Sequence, residues 1–535
     1  MGKCDRHPGA LGGDDPMVSH TLQTRARAVA FKSVSLRHRG GRRLSNNKFS
    51  LSVTQRFMRE ILVVQTGQCG NQIGAEFWRT ILGEHSTCGK DYSDSMSTFF
   101  RNVDARGRDL GLYSPINKLK ARAVLIDMEE GVLNSLLTSD INSIFDETLL
   151  VKDRVGTGAG NNFGAGYAGY GEEHGQRALD IIQHALENCD SPQGFLFFSS
   201  LGGGTGSGLG SRLLELTADT FRGLSILSAP IIPSRNANDV ITSPYNSVFS
   251  LSSLLQSADV ILPFDNESIM RCVENLGNKR VNPDKTVRAN AKRLANDPLV
   301  GQGDAGNKHR PFKDVNQTIT TALSCITASM RFGGELNVDL NELSVNLVPF
   351  PELNLVCTSL APLPMAPPYR TLEAAVRELL NNNNQLLMEY SAGPIGAHNF
   401  SLASAILGRS ANADSGRLAS AVEALIQKEN VKHPSWGSQG FKVGLCNNRP
   451  PHAECDAVCL RNTPQILGSI THLKQAFNKM YKTRTFLHHY TNYMSPEDIE
   501  ERSRIVDVVI NGYEDLAKTM GERHVVDFDI QPVIY

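Results

Sequence analysis

Residues 195–208 read FLFFSSLGGGTGSG, and this stretch decides the fold of the chain. The continuous apolar run Phe195–Phe198 predicts a buried strand and Leu209–Ala218 predicts a helix, so the glycines form the turn between them. Such a turn lets backbone N–H groups surround phosphate oxygens, and the helix N-terminus adds partial positive charge. Because this loop has no Lys followed by Ser or Thr, the phosphates must be held by amides, by Thr205 and by a metal. A flexible linker, the alternative, does not explain why the glycines separate a strand from a helix.

Two more glycine-rich turns have a similar setting. GQCGNQIG (residues 67–74) follows the apolar run Glu60–Gln65, and GTGAGNN (residues 156–162) could cap another helix. The runs Ala123–Ile126 and Val260–Leu262 are also continuous, which is typical of parallel strands covered by helices on both faces. The sequence therefore predicts an α/β fold with a doubly wound parallel sheet and a polyphosphate site wrapped by three loops.

Two acids follow the run that ends at Ile126. Asp127 and Glu129 are expected at the carboxyl edge of the sheet, where a carboxylate can hold a water bound to Mg²⁺. A solvated turn that includes Glu130 explains these acids equally well. Asp127 and Glu129 are therefore candidate metal residues, with that alternative open.

Composition and charge exclude several classes of protein. The 535 residues carry a net charge of −1, but residues 1–57 account for +8 and the remainder for −9. An acidic body excludes a nucleic-acid partner, and no apolar run of about eighteen residues is present to span a membrane. With 40% hydrophobic residues the chain is not disordered as a whole. The ten cysteines are scattered without zinc-site spacing, as expected for reduced cytosolic thiols.

Changes of pattern along the chain predict its domains. Residues 1–57 form a basic N-terminal extension, disordered or not native, because Met58-Arg59-Glu60-Ile61 leads into the first apolar run as a native start would. The extension has no acid after Met17, so a targeting segment stays open. The further divisions are a nucleotide-binding domain at 58–270, an inserted loop at 271–311, a central helix at 312–332, an intermediate α/β domain at 333–462 and a C-terminal helical hairpin at 463–535. The central helix is predicted from apolar residues spaced three or four apart: Val315, Ile319, Leu323, Ile326 and Met330.

Together, the loops GGGTGSG, GQCGNQIG and GAGNN resemble those of the tubulin family, and the likeness extends from Met58 to about Tyr513. Within that family, FFRNVD (residues 99–104), LKARAVLIDMEEG (residues 119–131) and LHHY (residues 487–490) are similar to the epsilon subfamily. The resemblance implies a GTP or GDP site with Mg²⁺, between the first domain and the central helix.

The resemblance also implies which residues form this site. Asn266 and Asn316 would read the guanine edge, since amide side chains donate and accept side by side. Phe312 would stack on the base where the family has Tyr, and Ser243 replaces the family's usual Glu, which removes one ribose contact. Further contacts to the base side, ribose and phosphates would come from Gln68, Cys69, Gln72, Ala159, Gly160, Asn161, Ser200, Gly202, Gly203, Gly204, Thr205, Gly206 and Asp239, with Glu129 and Asp127 near the Mg²⁺.

In tubulins an acid from the next subunit polarises the water that attacks GTP. Leu336–Leu347 predicts a helix with Asp339 and Glu342 on one face, and Glu342 matches the catalytic Glu of alpha-tubulin, where beta-tubulin has Lys. The resemblance implies a weak GTPase completed across a longitudinal subunit contact, with these two acids acting on a neighbour's GTP. An ordinary exposed acidic face is the alternative.

The most specific function that the resemblance implies is that of an epsilon-type cytoskeletal protein of the cytoplasm. It would act in microtubule assembly or maintenance at the centrosome, centriole or basal body, with other tubulins and centriolar or basal-body proteins as partners. A conventional GTP-dependent microtubule subunit is the alternative, and the chain's end at Tyr535, without a Glu-rich tail, argues against it. A dinucleotide-dependent oxidoreductase is disfavoured because GxGxxG and its downstream acid are missing.

Overall fold

The computed structural model describes residues 59–86, 89–153, 156–234, 240–281, 311–387, 400–434, 441–451 and 453–522. The predictions for the N-terminal extension, for Asp239, for most of the insertion and for the end of the chain lie outside the described residues. Within the described ranges, no helix is long and apolar enough to cross a membrane.

The first half of the chain is built on a parallel sheet. Its seven strands lie in the order β5-β4-β1-β6-β7-β8, with β9 beside β7, and every pair in it is parallel, whereas β2 and β3 form a separate antiparallel pair. The predicted apolar runs lie in β1, β4, β6 and β8, and β5 and β7 are additional to them. The strands are β1 (Glu60–Thr66), β2 (Phe100–Val103), β3 (Lys118–Ala121), β4 (Ala123–Asp127), β5 (Leu150–Lys152), β6 (Pro192–Ser200), β7 (Ser225–Ile232), β8 (Val260–Ile261) and β9 (Phe264–Asp265).

Helices cover both faces of this sheet. Ile61 and Val63 of β1 belong to one apolar core, together with side chains of the first helix, while Leu62 and Val64 belong to a second core on the opposite face. A strand whose successive residues are all buried, on alternating faces, confirms the doubly wound α/β fold. The helices are α1 (Gly67–His85), α2 (Asp94–Ser97), α3 (Glu130–Leu137), α4 (Tyr170–Glu187), α5 (Gly210–Thr220), α6 (Ser243–Ser257) and α7 (Asn266–Val281).

The insertion was expected to start at residue 271, but α7 continues to Val281. The reason lies in packing, since Cys272 is buried in the first core and Val273 and Leu276 pack against it. This apolar spacing holds the segment in the helix despite its polar neighbours. Residues 282–310 lie outside the described part of the chain.

The central helix, α8 (Pro311–Arg331), contacts α1 on one side and a second sheet on the other. All five residues of its predicted apolar face are buried. The second sheet has the strand order β10-β13-β11-β12 and contains both parallel and antiparallel pairs. Its elements are β10 (Cys357–Ala361), β11 (Ala403–Ser410), β12 (Phe441–Cys446) and β13 (Cys455–Asn462), with the helices α9 (Leu340–Leu347), α10 (Leu372–Arg377) and α11 (Ser415–Glu429).

Two C-terminal helices, α12 (Leu467–Lys482) and α13 (Pro496–Glu522), pack against each other and against α6. The start of α13 is capped by Ser495, whose hydroxyl accepts a hydrogen bond from the Asp498 N–H (3.1 Å) and donates to the Asp498 carboxylate (2.9 Å). This pair forms the helical hairpin that the sequence predicts.

A buried cluster of charges joins both domains to the central helix. Glu84 of α1 lies 2.5 Å from Arg331 at the end of α8 and 2.6 Å from Arg409 of β11, which itself makes two short bonds to Asp456 of β13. Burial alone would raise the pKa of Glu84, but attraction to the two guanidinium groups outweighs burial and lowers it to about 2. Because the loss of one partner would leave a buried charge uncompensated, this cluster opposes separation of the domains.

Candidate functional site

Residues 67–74 are called the first glycine-rich loop, residues 199–208 the second and residues 156–162 the third. The first and second loops contact each other directly. Gly67 begins α1 with φ +73°, and a Cβ there would lie 2.8 Å from the nitrogen of Gly206, so this position requires glycine. The buried side chain of Asn71 holds the first loop, because its Nδ2 donates to the carbonyls of Gly67 and Ile126, each at 3.0 Å. Asn71 therefore ties the loop after β1 to the end of β4.

The second loop turns from β6 into α5 through a π-helical turn, Thr205–Leu209. Its hydroxyls bond back to its own backbone: Ser200 Oγ accepts from the Gly202 N–H at 3.2 Å, and the Ser207 hydroxyl donates to the Gly203 carbonyl. Thr205 is buried within the turn. These bonds fix the loop while leaving other backbone N–H groups of the turn available for an anion.

The third loop packs against the second. A Cβ on Gly204 would lie 2.8 Å from the nitrogen of Asn162 and 2.9 Å from the Cβ of Ala159, so the two loops are in van der Waals contact. Asn161 has φ +53°, a left-handed conformation that Asn tolerates better than most residues. Both Gly160 and Asn161 are exposed. The structure thus brings the three predicted loops together at the carboxyl edge of the sheet.

The two candidate metal residues have different environments. Asp127 is buried at the end of β4, and burial raises the pKa of its carboxyl to about 6. Its Oδ1 accepts from the Glu129 N–H at 3.3 Å, whereas its Oδ2 has no hydrogen-bond partner among the described residues. Glu129 is exposed and lies against the third loop, where a Cβ on Gly158 would be 2.5 Å from Glu129 Cγ.

This donor set fits Mg²⁺. Nucleotide-bound Mg²⁺ takes one or two protein carboxylates and completes its shell with phosphate oxygens and water. The unpartnered oxygen of Asp127 and the exposed carboxylate of Glu129 meet that need. Within the described ranges, no group of three or more His, Cys, Asp or Glu side chains forms an all-protein metal site.

The predicted base contacts lie on three helices. Gln68 and Gln72 are exposed on the first turns of α1. Between them Cys69 is half-buried, and desolvation raises the pKa of its thiol to about 12, so the thiol is neutral. Asn266 is the first residue of α7 and Asn316 lies in the second turn of α8, on two helices that pack together.

Two positions differ from the usual family pattern. Phe312, at the start of α8, is 53% exposed, so its ring face is available for stacking. Ser243 is buried at the start of α6, and its hydroxyl has no hydrogen-bond partner among the described residues. Asp239, the remaining predicted contact, lies outside the described residues.

The two predicted catalytic acids lie at the other end of the sheet. Arg59 directly precedes β1 and pairs with Asp339 at 3.5 Å, whereas the glycine-rich loops follow the far end of β1. A seven-residue strand spans about 20 Å. Asp339 and Glu342 are therefore too far away to reach the nucleotide loops of the same chain.

The helix predicted over Leu336–Leu347 begins only at Leu340, so Asp339 is its N-cap. The Oδ1 of Asp339 accepts from the Glu342 N–H at 2.8 Å, and its Oδ2 pairs with Arg59. The Glu342 side chain is partly exposed, and its buried Oε2 lies 3.2 Å from Lys442 Nζ. The two acids thus have different surroundings, since Asp339 caps the helix that carries Glu342.

Sequence reasoning assigned no role to several side chains that organise the site. The Tyr170 hydroxyl lies 3.4 Å from the Asp153 carboxylate, 3.4 Å from the Gly158 carbonyl and 3.2 Å from the Thr157 hydroxyl. Asp153 in turn accepts from the Gly156 N–H at 3.2 Å. These contacts brace the third loop from β5 and α4. No local pattern signals the Tyr170 contacts, because they join residues 12 to 17 positions apart, whereas the Asp153–Gly156 bond lies within one turn.

Comparison with known proteins agrees with this geometry. Residues 60–274 match a family described as "Tubulin/FtsZ family, GTPase domain". The chain is 36% identical to the tubulin epsilon chain of Mus musculus over 478 residues, which cover 86% of this chain and 97% of the mouse protein. It is 36% identical to the tubulin epsilon chain of Homo sapiens, with the same coverage. The nucleomorph tubulin beta chain of Guillardia theta is 30% identical, over 81% of this chain and 90% of that protein.

These similarities confirm the resemblance to tubulins and, within them, to epsilon chains. The matched GTPase domain spans all three glycine-rich loops and implies binding of GTP or GDP. Membership also implies contacts with other tubulins and a cytoskeletal role. The chain belongs to the tubulin family.

Proposed function

We propose that this protein is a GTP-binding tubulin of the epsilon type that acts in the assembly or maintenance of centriolar or basal-body microtubules. The mutual packing of the three glycine-rich loops carries the nucleotide-binding part of this proposal. The higher identity to two epsilon chains than to a beta chain supports the subfamily. Centriolar or basal-body proteins would be its partners besides other tubulins.

At the nucleotide end, the backbone N–H groups at the starts of α1 and α5 would surround the phosphates. Bound Mg²⁺ would supply positive charge beside the phosphate oxygens, and Asp127 and Glu129 are the residues that would hold it. Asn266 and Asn316 would read the guanine edge, and Phe312 would cover the face of the base. Each of these assignments can be tested by substituting the residue and measuring the affinity for GTP.

Glu342 would act at the opposite end, on the GTP of the next subunit. It lies beyond the opposite end of β1, a strand that spans about 20 Å, and this position supports the assignment. A head-to-tail contact would bring the Glu342 end of one subunit onto the loop end of the next. There the carboxylate would polarise the attacking water, while Asp339 and Lys442 hold its helix and its charge in position.

The first experiment identifies the bound nucleotide. Full-length protein is denatured, and the released nucleotide is separated by ion-exchange chromatography. We expect GTP or GDP, and release of NAD or an adenine nucleotide would remove the nucleotide assignment.

The second experiment tests Glu342 in trans. Glu342→Gln keeps the size of the side chain and removes its charge, so we expect unchanged GTP binding and loss of assembly-stimulated hydrolysis. Glu335→Gln, which changes an exposed acid seven residues earlier in the chain, is the matched control and should hydrolyse normally. Equal hydrolysis by both variants in the assembled state would remove Glu342 from the reaction.

The third experiment separates the epsilon role from that of a general polymer subunit. Tagged protein that starts at Met58 is imaged in ciliated cells. We expect puncta at centrioles or basal bodies, whereas label along all microtubules would favour the conventional polymer subunit.

A further inference from the structure

Asn246, in the first turn of α6, is fully buried and has every hydrogen-bonding position of its amide in use. Its Nδ2 donates to the carbonyls of Asn161 at 2.8 Å and Gly202 at 2.9 Å. Its Oδ1 accepts from the Phe163 N–H at 2.9 Å and from the Tyr490 hydroxyl at 2.6 Å. Because an amide offers two donors and two lone pairs, no position is left over.

The carbonyls that Asn246 holds belong to different loops. Asn161 lies in the third glycine-rich loop and Gly202 in the second, so one side chain bridges the gap between them. The two loops also touch at Gly204, where a Cβ would lie 2.8 Å from the nitrogen of Asn162. Because the second and third loops already touch, there is no empty space to take up a change in their spacing. Such a change therefore moves the backbone N–H groups that would face the nucleotide.

Tyr490 fixes the amide of Asn246 from the opposite side. Its fully buried ring packs against Tyr245 and Phe249, with ring centroids 5.0 Å and 5.6 Å apart. Its hydroxyl supplies one of the two bonds that orient Oδ1. Without it, Oδ1 retains only the Phe163 N–H, so the amide can tilt and loosen its hold on both loops.

The segment that carries Tyr490 is also joined to the third loop and to α6. Asn162 Nδ2 donates to the His489 carbonyl at 2.9 Å, and the Tyr245 hydroxyl donates to the Thr485 carbonyl at 3.0 Å. The segment after α12 therefore packs beside the loop cluster, although it lies far along the chain from the glycine-rich motifs.

We propose that Asn246 is a positioning residue for the nucleotide, which sets the spacing of the second and third loops, and that Tyr490 holds Asn246 in this role. The proposal rests on the nucleotide site described above. It assigns nucleotide retention to two residues that lie outside the three glycine-rich motifs.

The test compares two buried tyrosines in the full-length protein. Tyr490→Phe removes the hydroxyl and keeps the ring. The matched control is Tyr513→Phe, because the Tyr513 hydroxyl also donates to a buried amide, Asn462 Oδ1 at 2.9 Å. Asn462 likewise donates to two carbonyls, but these belong to Leu347 and Leu353, which are not part of the loops.

We expect Tyr490→Phe to raise the dissociation constants of GTP and GDP about tenfold, as for a buried acceptor that loses one of its two donors. Tyr513→Phe should lower Tm but leave both constants within about twofold of wild type. A residue with only a structural role changes Tm alone, so unchanged constants in Tyr490→Phe would overturn the proposal. If wild-type protein binds no guanine nucleotide, the nucleotide site itself fails and this proposal fails with it.

A milder variant covers the case in which Tyr490→Phe does not fold. The Thr242 hydroxyl donates to the same Asn161 carbonyl at 3.2 Å. Thr242→Val should raise the GTP dissociation constant about threefold, and Thr242→Ser, which keeps the hydroxyl, should restore it. Equal affinity in Thr242→Val, Thr242→Ser and wild type would also count against loop spacing as the determinant.

Discussion

Substitution of Gly204 tests how tightly the nucleotide loops are packed. The backbone of Gly204 is helical, with φ −88° and ψ −55°, so alanine can adopt it without strain. The cost of Gly204→Ala in the folded state is therefore steric. The new Cβ would lie 2.8 Å from the Asn162 nitrogen, 2.9 Å from the Ala159 Cβ and 3.0 Å from the Ala159 carbonyl oxygen.

Those contacts involve two backbone atoms and an alanine Cβ, none of which can rotate away as the end of a long side chain can. Overpacking of this kind costs about 1–3 kcal/mol, and the smaller entropy of the unfolded alanine chain offsets about 0.4–1 kcal/mol of it. We expect a net destabilisation of about 1–2 kcal/mol. Relief of the clash must separate the second and third loops, so GTP should bind about tenfold more weakly.

The adjacent residue, Gly203, provides the control. A Cβ on Gly203 meets no protein atom within 4 Å, so Gly203→Ala should leave the stability of the nucleotide-free protein unchanged or slightly higher. The assays are thermal unfolding with and without GTP and equilibrium binding of GTP. If Gly203→Ala weakens GTP binding without lowering Tm, the open space beside Gly203 is where the nucleotide lies.

The reasoning is refuted if Gly204→Ala unfolds at the wild-type temperature and binds GTP with wild-type affinity. Equal loss of stability in both variants would also refute it, because the distances distinguish the two positions so sharply. A loss of stability in Gly204→Ala with unchanged GTP affinity would show that the contact between the loops is structural and does not set the nucleotide site.

Two further predictions concern buried polar groups. The depressed pKa of Glu84 stabilises the fold by about 3 kcal/mol above pH 4.5, and this contribution is lost as the pH falls from about 4.5 towards 2. In denaturant unfolding, the loss of unfolding free energy in Glu84→Gln should therefore be full at pH 6 and shrink below pH 4.5. A loss that does not depend on pH would contradict the role of its charge. Asn71→Ala removes both bonds that tie the first loop to β4, so it should lower the unfolding free energy by about 1–3 kcal/mol and weaken GTP binding. Asn142→Ala removes a single exposed hydrogen bond and should do neither. Equal unfolding free energies in the two variants would contradict the role of Asn71.

The parts of the fold that follow from local pattern could be predicted from the sequence. Continuous apolar runs indicated β1, β4, β6 and β8, and the spacing of apolar residues indicated α8. The strand β7 was not predicted, because polar residues and a proline interrupt its apolar run, SILSAPII. The start of the insertion was misplaced because three apolar side chains keep α7 helical beyond residue 270.

The site shows the same division between local and long-range signals. Each glycine-rich loop was recognisable in isolation, but Asn246 meets Asn161 and Tyr490 only because the chain returns to the loops from residues 85 and 244 positions away. For Asp339 the sequence did contain a signal: Asp with Glu three residues later is a capping pattern. A helix assumed to start at Leu336 made the two acids look equivalent, when one of them caps the helix that presents the other.

The location of the two ends constrains how such a subunit can work. The loops follow the carboxyl end of β1, and Arg59, paired with Asp339, precedes its amino end, so one strand separates a subunit's nucleotide from its own Glu342, which would act on the neighbour's GTP. A head-to-tail contact is heterologous, and where repeated contacts build an open filament, a terminal subunit has one end without a partner. If the proposed roles are correct, a terminal subunit with its loop end exposed retains GTP, because no neighbour supplies Glu342. Nucleotide state would then report on position within an assembly, and Tyr490, next to the exposed loop end, would hold the nucleotide in the subunit that has not yet been joined.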